Sequence, residues 1–282
     1  MTELITKEYG PLKMKSIGNI LFLDGEMKYW VWTPYDKCSF RCVYCSVEAQ
    51  GKSKPLITKE EIGPLLDDFQ RQVNRKYPFV IGTRADPYPI EELEHGLTRH
   101  ALMELAKRPK IRTVVISHGD IITRDIDILK TMHNLEKVGI SITHHDDEQL
   151  KLIEPGAPPF RARIEAAIKL HEAGLPLVVN IAPWIPDFTD ADKIARELPP
   201  EVEINVAVLS YNLHNSELTK HLFGRDVSSA QRVFGKQFPT QEIMNQKYLD
   251  AHRQTGAGTR GNLKWLIPPG SGKNYINTLP NP

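Results

Sequence analysis

The sequence predicts an α/β protein built as a partial (β/α)6 TIM-type barrel with a C-terminal extension. Six short aromatic or β-branched runs alternate with helical segments between Tyr29 and Leu209, and alternation at this pitch argues for a parallel sheet. The alternation stops after about residue 215. The length, 282 residues, is near that of one α/β barrel domain. The expected division is an N-terminal extension over 1–28, the barrel over 29–212, and a C-terminal helix and tail over 213–282 as a substrate lid.

Taken in order, Ile17 to Leu23 predicts a short entry hairpin. Tyr29-Trp30-Val31-Trp32-Thr33 is the first barrel strand, ended by Pro34. Thr58-Lys59-Glu60-Glu61 has the form of a capping box. The helix it opens runs to about residue 75, with Gly63 and Pro64 weakening its first turns. Phe79 to Gly82 is the second strand, and one helix is expected over 91–107. Arg112 to Ser117 is the third strand, followed by a helix over 123–134. Val138 to Ile142 is the fourth strand, with a short helix over Asp146 to Leu152. Pro159 to Ala173 has helical periodicity and is closed by Gly174 in the C′ position. Leu177 to Ile181, a helix over Asp190 to Leu198, and Glu203 to Leu209 complete the six units. A helix over 240–253 and a Gly-, Pro- and Asn-rich tail follow; the glycines of the tail read as turns, because the full phosphate-loop pattern is missing.

Composition excludes some classes. Apolar content of 40% permits a core without staples. A net charge of +1 gives no general attraction for nucleic acid, which is therefore not a favoured partner. No apolar run reaches the roughly 18 residues of a membrane span, and the first residues lack the pattern of a signal peptide. The expectation is a cytoplasmic protein.

The chemistry concentrates in Cys38-Ser39-Phe40-Arg41-Cys42-Val43-Tyr44-Cys45, which holds all three cysteines of the chain, spaced C-x3-C-x2-C. Thiolates hold iron–sulfur clusters, and three ligands on a [4Fe–4S] cube leave one iron open to a small molecule. A structural zinc site is the alternative. It needs a fourth ligand, and the nearest of the ten histidines after the loop is His95, far along the chain. A non-catalytic iron–sulfur or zinc module stays open at this point. An odd number of crowded cysteines does not read as a disulfide framework.

This loop resembles that of the radical S-adenosylmethionine (SAM) superfamily. The resemblance implies that Cys38, Cys42 and Cys45 ligate a [4Fe–4S] cluster whose open iron binds SAM. It further implies that an electron from a reducing partner such as flavodoxin or ferredoxin splits SAM into methionine and a 5′-deoxyadenosyl radical. That radical abstracts hydrogen from a substrate, here expected to be a small molecule such as a nucleoside, sugar or amino-acid derivative.

Further segments resemble the subgroup around spore photoproduct lyase. They are Gly82-Thr83-Arg84-Ala85-Asp86-Pro87-Tyr88, Ile116-Ser117-His118-Gly119 with Thr123-Arg124-Asp125, Ser141-Ile142-Thr143, Glu154-Pro155-Gly156-Ala157-Pro158 with Arg163-Ile164-Glu165-Ala166, and Ala182-Pro183-Trp184-Ile185-Pro186. Position in the family implies that Tyr44 lies near the adenine, Thr83 and Asp86 near the methionine amine, and Ser117 and Ser141 near ribose or carboxylate. Asn180 is implied near ribose or adenine. Each has a plainer reading, as a core aromatic, a turn residue or a loop cap.

His118 stands where the subgroup usually has Lys, and Gly156 where it often has Arg. Arg124 and Arg163 are the candidates to restore a fork for the SAM carboxylate, the plainer reading being surface ion pairs. The cluster uses every cysteine, so the extra cysteine of the lyase has no counterpart, which argues against a true lyase. Tyr211 is the candidate hydrogen relay in its place. DNA repair is the alternative function. His144 and His145 read as a solvated loop pair.

Overall fold

The computed structural model describes residues 22–23, 29–42, 44–45, 51–72, 77–83, 85–185, 188–208, 246–247, 249–251 and 263–265. Tyr211, most of both extensions and most of the glycine-rich tail lie outside them. The chain divides into two compact units, one made of residues 1–39, 49–139 and 169–176, the other of 40–48, 140–168 and 177–282.

In the first unit the strands follow chain order. β1 (Phe22–Leu23) is antiparallel to β2 (Trp30–Trp32), and β2 is parallel to β3 (Phe79–Ile81) in the register Trp30↔Phe79. β3 is parallel to β4 (Thr113–Ser117), with Phe79↔Thr113. β5 (Leu135–Ser141) begins here, its Val138 N–H donating to the Pro176 carbonyl at 3.0 Å. Trp30 packs edge-on against Phe69 with ring centres 5.8 Å apart, and Phe69 meets Phe79 at 5.0 Å. Alternate large aromatics on β2 and β3 thus anchor α1 (Lys59–Gln72) by area burial and edge-to-face contact.

α1 starts at Lys59 despite Gly63 and Pro64, because the Glu61 carboxylate accepts the Thr58 N–H at 2.9 Å. That bond is one arm of the capping box.

The single helix expected over 91–107 is two, α2 (Glu92–His95) and α3 (Leu97–Ala106). Gly96 between them has φ of 62°, a left-handed conformation that only glycine adopts cheaply. The buried Glu92 carboxylate then accepts from Thr98 N–H at 3.0 Å and Arg99 N–H at 3.1 Å, which satisfies the first turn of α3. The segment expected as a helix over 123–134 is a 3-10 turn over Asp120–Asp125 followed by the short α4 (Ile126–Leu129).

The second unit holds the end of β5 with β6 (Leu177–Trp184), β7 (Glu203–Val208) and β8 (Leu263–Trp265). Ile142 N–H donates to the Asn180 carbonyl at 2.9 Å. β6 and β7 are parallel with Asn180↔Asn205, and β7 and β8 with Asn205↔Lys264. β8 comes from the tail expected to form turns. α5 (Asp147–Ile153) and α7 (Ala191–Arg196) are capped by the Asp146 and Asp190 side chains. α6 (Phe160–Glu172) contributes to both units. It ends in a Schellman motif, Leu175 N–H to Leu170 carbonyl at 3.2 Å and Gly174 N–H to His171 carbonyl at 2.9 Å.

The six expected strands are therefore β2 to β7, and the fold is α/β of the partial TIM type with a parallel sheet. Residues 246–247 and 249–251 are helical, within the segment where a helix is expected.

Candidate active site

In the first unit, chain leaving β2 enters the cysteine loop through a narrow neck. Tyr35 bridges Pro55, and Asp36 N–H donates to the Lys54 carbonyl at 3.1 Å. Lys54 N–H returns to the Asp36 carboxylate at 2.8 Å, and Gly51 N–H reaches the Cys38 carbonyl at 3.3 Å. Cys38 is buried. Ser53 ties the neck further, its hydroxyl donating to the Lys37 carbonyl at 2.8 Å and its N–H to the buried Glu91 carboxylate at 3.3 Å.

Gly82 and Thr83 follow β3. Gly82 has φ of 107°, and a Cβ there would fall 1.9 Å from the Ile116 carbonyl oxygen, so β3 can lie this close to β4 only with glycine at that position. Thr83 is exposed. Asp86 is buried and organises the loop. Its carboxylate accepts from the Ser117 hydroxyl at 2.7 Å, His118 N–H at 2.7 Å and Tyr88 N–H at 2.9 Å. Ser117, at the end of β4, also accepts from Gly119 N–H at 2.7 Å. Asp86 and Ser117, expected near different parts of SAM, are bonded to each other.

Arg124 is held by protein acceptors at each of its nitrogens. Nη2 pairs with Glu92 at 2.7 Å, Nε with Asp125 at 2.8 Å, and Nη1 donates to the Glu92 carbonyl at 3.2 Å. Arg99 pairs with Asp125 at 2.8 Å, and the hydroxyls of Tyr35 and Tyr88 donate to Glu92 and Asp125. Burial and these carboxylates push both tyrosine hydroxyls above their usual pKa range, which keeps them donors.

In the second unit, Cys42 is buried and Cys45 half-buried, linked by a Cys45 N–H to Cys42 carbonyl bond of 3.2 Å. Tyr44, between them, donates its hydroxyl to Glu154. Thr143 donates to the same carboxylate oxygen, and the other oxygen pairs with Arg163. Both side chains of that ion pair are 0% exposed. Arg163 also donates Nε to the Pro158 carbonyl at 2.8 Å and Nη1 to the carbonyl of Ser141 at 3.2 Å.

Both arginines expected to meet the SAM carboxylate thus have their forks filled by protein acceptors. The Tyr44 hydroxyl is pushed up by burial, then by the Cys42 and Glu154 charges.

Asn180 is half-buried on β6, and its side-chain oxygen accepts from Asn205 at 3.5 Å. An in-register amide pair on two largely apolar strands is a signal the sequence held only once register was known. Glu154, Thr143 and Glu92 were likewise not singled out, because their partners lie on other elements.

His144 is not the solvated residue expected. It is buried, its ring lies 4.4 Å from Phe188 and 4.5 Å from His145, and its Nδ1 accepts Asp146 N–H at 2.9 Å. Burial, then His145, holds its pKa below the ordinary imidazole value.

Residues 32–198 match the Radical SAM superfamily. The chain belongs to that superfamily. It is 28% identical over 178 residues to an uncharacterized protein of Methanocaldococcus jannaschii, covering 61% of this chain and 66% of that one. It is 28% identical over 221 residues to the spore photoproduct lyase of Bacillus subtilis, covering 73% of this chain and 59% of the lyase. The chain thus spans about three fifths to two thirds of the length of these relatives.

Among solved structures, a spore photoproduct lyase variant with bound AdoMet and dinucleoside spore photoproduct superposes with a TM-score of 0.65 at 13% identity. That match covers 90% of this chain and 79% of the other. Streptococcus suis SuiB bound to S-adenosylmethionine gives a TM-score of 0.50 at 14% identity, over 83% and 46% of the two chains. At these identities the structural matches speak to fold alone.

Membership of the radical SAM superfamily makes this an enzyme domain whose cofactors are a [4Fe–4S] cluster and SAM. Among the described residues no three His, Cys, Asp or Glu side chains are gathered as a preformed metal-binding group. The donor set nonetheless fits, being three thiols, none in a disulfide, of the soft type that binds iron–sulfur clusters. No helix among the described residues is long and apolar enough to cross a membrane.

Proposed function

We propose that the enzyme abstracts hydrogen from a small molecule such as a nucleoside, sugar or amino-acid derivative, with Cys38, Cys42 and Cys45 as the cluster ligands. When bound, the cluster supplies the electron that releases the 5′-deoxyadenosyl radical from SAM. The cysteine triad carries this reading, since every cysteine is spent on ligation and a net charge of +1 offers nothing for the steering of DNA.

Thr83 meets the methionine amine beside the loop that Asp86 and Ser117 brace. Ser141 and Asn180 face ribose and adenine, with Tyr44 next to the last ligand. Half-buried Arg124 balances the carboxylates of Glu92 and Asp125, and buried Arg163 that of Glu154. Tyr211, outside the described residues, is the candidate hydrogen relay. The reductant is a flavodoxin or ferredoxin, and the compartment the cytoplasm, which suits an oxygen-labile cluster.

Anaerobic reconstitution is expected to give about four irons per chain and 5′-deoxyadenosine on reduction with SAM. Replacing any one of the three cysteines by serine removes both. A colourless zinc protein that leaves SAM intact refutes the reading.

The match to the Bacillus subtilis lyase favours a second reading, lesion repair in DNA. It requires salt-dependent binding to duplex DNA. The absence of any gel shift at low salt tells against this second reading.

A further inference from the structure

We propose that Glu154 and Arg163 form a buried charge clamp that positions the Cys42–Cys45 half of the cluster loop through the Tyr44 hydroxyl and sets the electrostatic surroundings of the Cys42 sulfur.

The pair is fully enclosed. It joins separate pieces of the second unit, namely the end of β5 through the Ser141 carbonyl and the Thr143 hydroxyl, the following loop through the Pro158 carbonyl, and the cysteine loop through Tyr44. A second tie runs in parallel, Gly156 N–H to the Phe40 carbonyl at 2.9 Å. The Glu154 loop therefore grips the cysteine loop at two points, one on each side of Cys42.

Enclosing an ion pair costs desolvation that a pair of apolar side chains would avoid, so stability alone is a weak reason for it. A reason lies in what it faces. Cys42 lies between the two gripped residues, Phe40 and Tyr44, so removing either charge of the clamp changes the field in which its sulfur sits. Charge and hydrogen bonding near the sulfurs set the potential of an iron–sulfur cluster. Glu154 and Arg163 are thus positioning residues, with no contact to substrate required of them.

The test takes the reconstituted enzyme and the variants Glu154→Gln, Arg163→Gln and Tyr44→Phe. Iron content comes first, then the midpoint potential and the paramagnetic spectrum of the reduced cluster with and without SAM. Glu154→Gln removes a negative charge and is expected to shift the midpoint in the positive direction. Arg163→Gln removes a positive charge and is expected to shift it in the negative direction. A merely structural pair would lose iron in both variants without opposite shifts.

Either variant leaves a buried charge unpaired and is at risk of not folding. Tyr44→Phe keeps the pair, and its readout needs no cluster. In the iron-free protein, hydrogen exchange at the Cys45 amide is expected to rise, because the tether that holds its turn is cut. Equal midpoints in iron-replete variants overturn the electrostatic half of the proposal. Unchanged Cys45 exchange in Tyr44→Phe overturns the positioning half. A wild-type chain that takes up no iron counts against the cluster itself, while the exchange measurement still decides the clamp.

Discussion

Replacing Asp86 by asparagine is the sharpest single test of how the loop after β3 is built. The carboxylate presents one oxygen to Tyr88 N–H and the Ser117 hydroxyl, and the other to His118 N–H. Asparagine keeps one acceptor and turns the other into an NH2 donor. If the NH2 faces His118 N–H, two donors meet. If it faces Tyr88, the Ser117 hydroxyl can rotate to accept but the Tyr88 N–H cannot.

Either way one buried backbone donor loses its partner, at about 1–3 kcal/mol, and the remaining bonds lose charge assistance worth about 1 kcal/mol. The sum is about 2–4 kcal/mol, or roughly 4–16 °C in thermal midpoint for a chain of this size. Ser117→Ala removes both the hydroxyl's bond to Asp86 and its acceptance of the Gly119 N–H, and is expected to cost about 2–3 kcal/mol. The assay is thermal unfolding of iron-free protein followed by circular dichroism. An Asp86→Asn midpoint equal to wild type refutes the bracing role.

Two glycines should separate cleanly. Gly82→Ala drives a methyl to 1.9 Å from the Ile116 carbonyl oxygen and is expected to cost more than about 4 kcal/mol, read as loss of soluble folded protein. Gly96→Ala meets nothing nearer than Lys59 Nζ at 3.5 Å, so its cost is backbone strain of about 1–2 kcal/mol, read as a shifted urea midpoint.

His144 is held neutral in the fold, below its unfolded pKa of about 6.5. Its contribution is complete above that value and falls as pH drops through it, because the unfolded chain then binds the extra proton. Stability between pH 7.5 and 5.5 should therefore decline in wild type and decline less in His144→Asn, whose side-chain oxygen can still accept the Asp146 N–H.

The strands were legible because each is a short β-branched or aromatic run bounded by turn residues, as in Thr113-Val114-Val115-Ile116 before Ser117. The break at Gly96 was not. A lone glycine in a helical pattern is usually tolerated, and here it takes the left-handed conformation while a carboxylate four residues earlier caps the helix on its far side. β8 escaped notice for a similar reason, since Leu263-Lys264-Trp265 is three residues inside a turn-forming tail.

At the site, the cysteine spacing, through its resemblance to the radical SAM loop, pointed to the superfamily that the family match then showed. The arginines were harder. A guanidinium that fits a ligand carboxylate fits a protein carboxylate equally well, and only the fold reveals that Glu92 and Glu154 already occupy Arg124 and Arg163.

The neck formed by Tyr35, Asp36, Lys54 and Pro55 acts as a drawstring. Its ties fix the two ends of the cysteine-bearing segment at Asp36 and Lys54. Doubling the length of a closed loop costs only about 0.6 kcal/mol in entropy, so a short insertion beside the neck should be tolerated far better than any change at Phe40, Cys42, Tyr44 or Cys45, where the second set of ties and the candidate ligands lie.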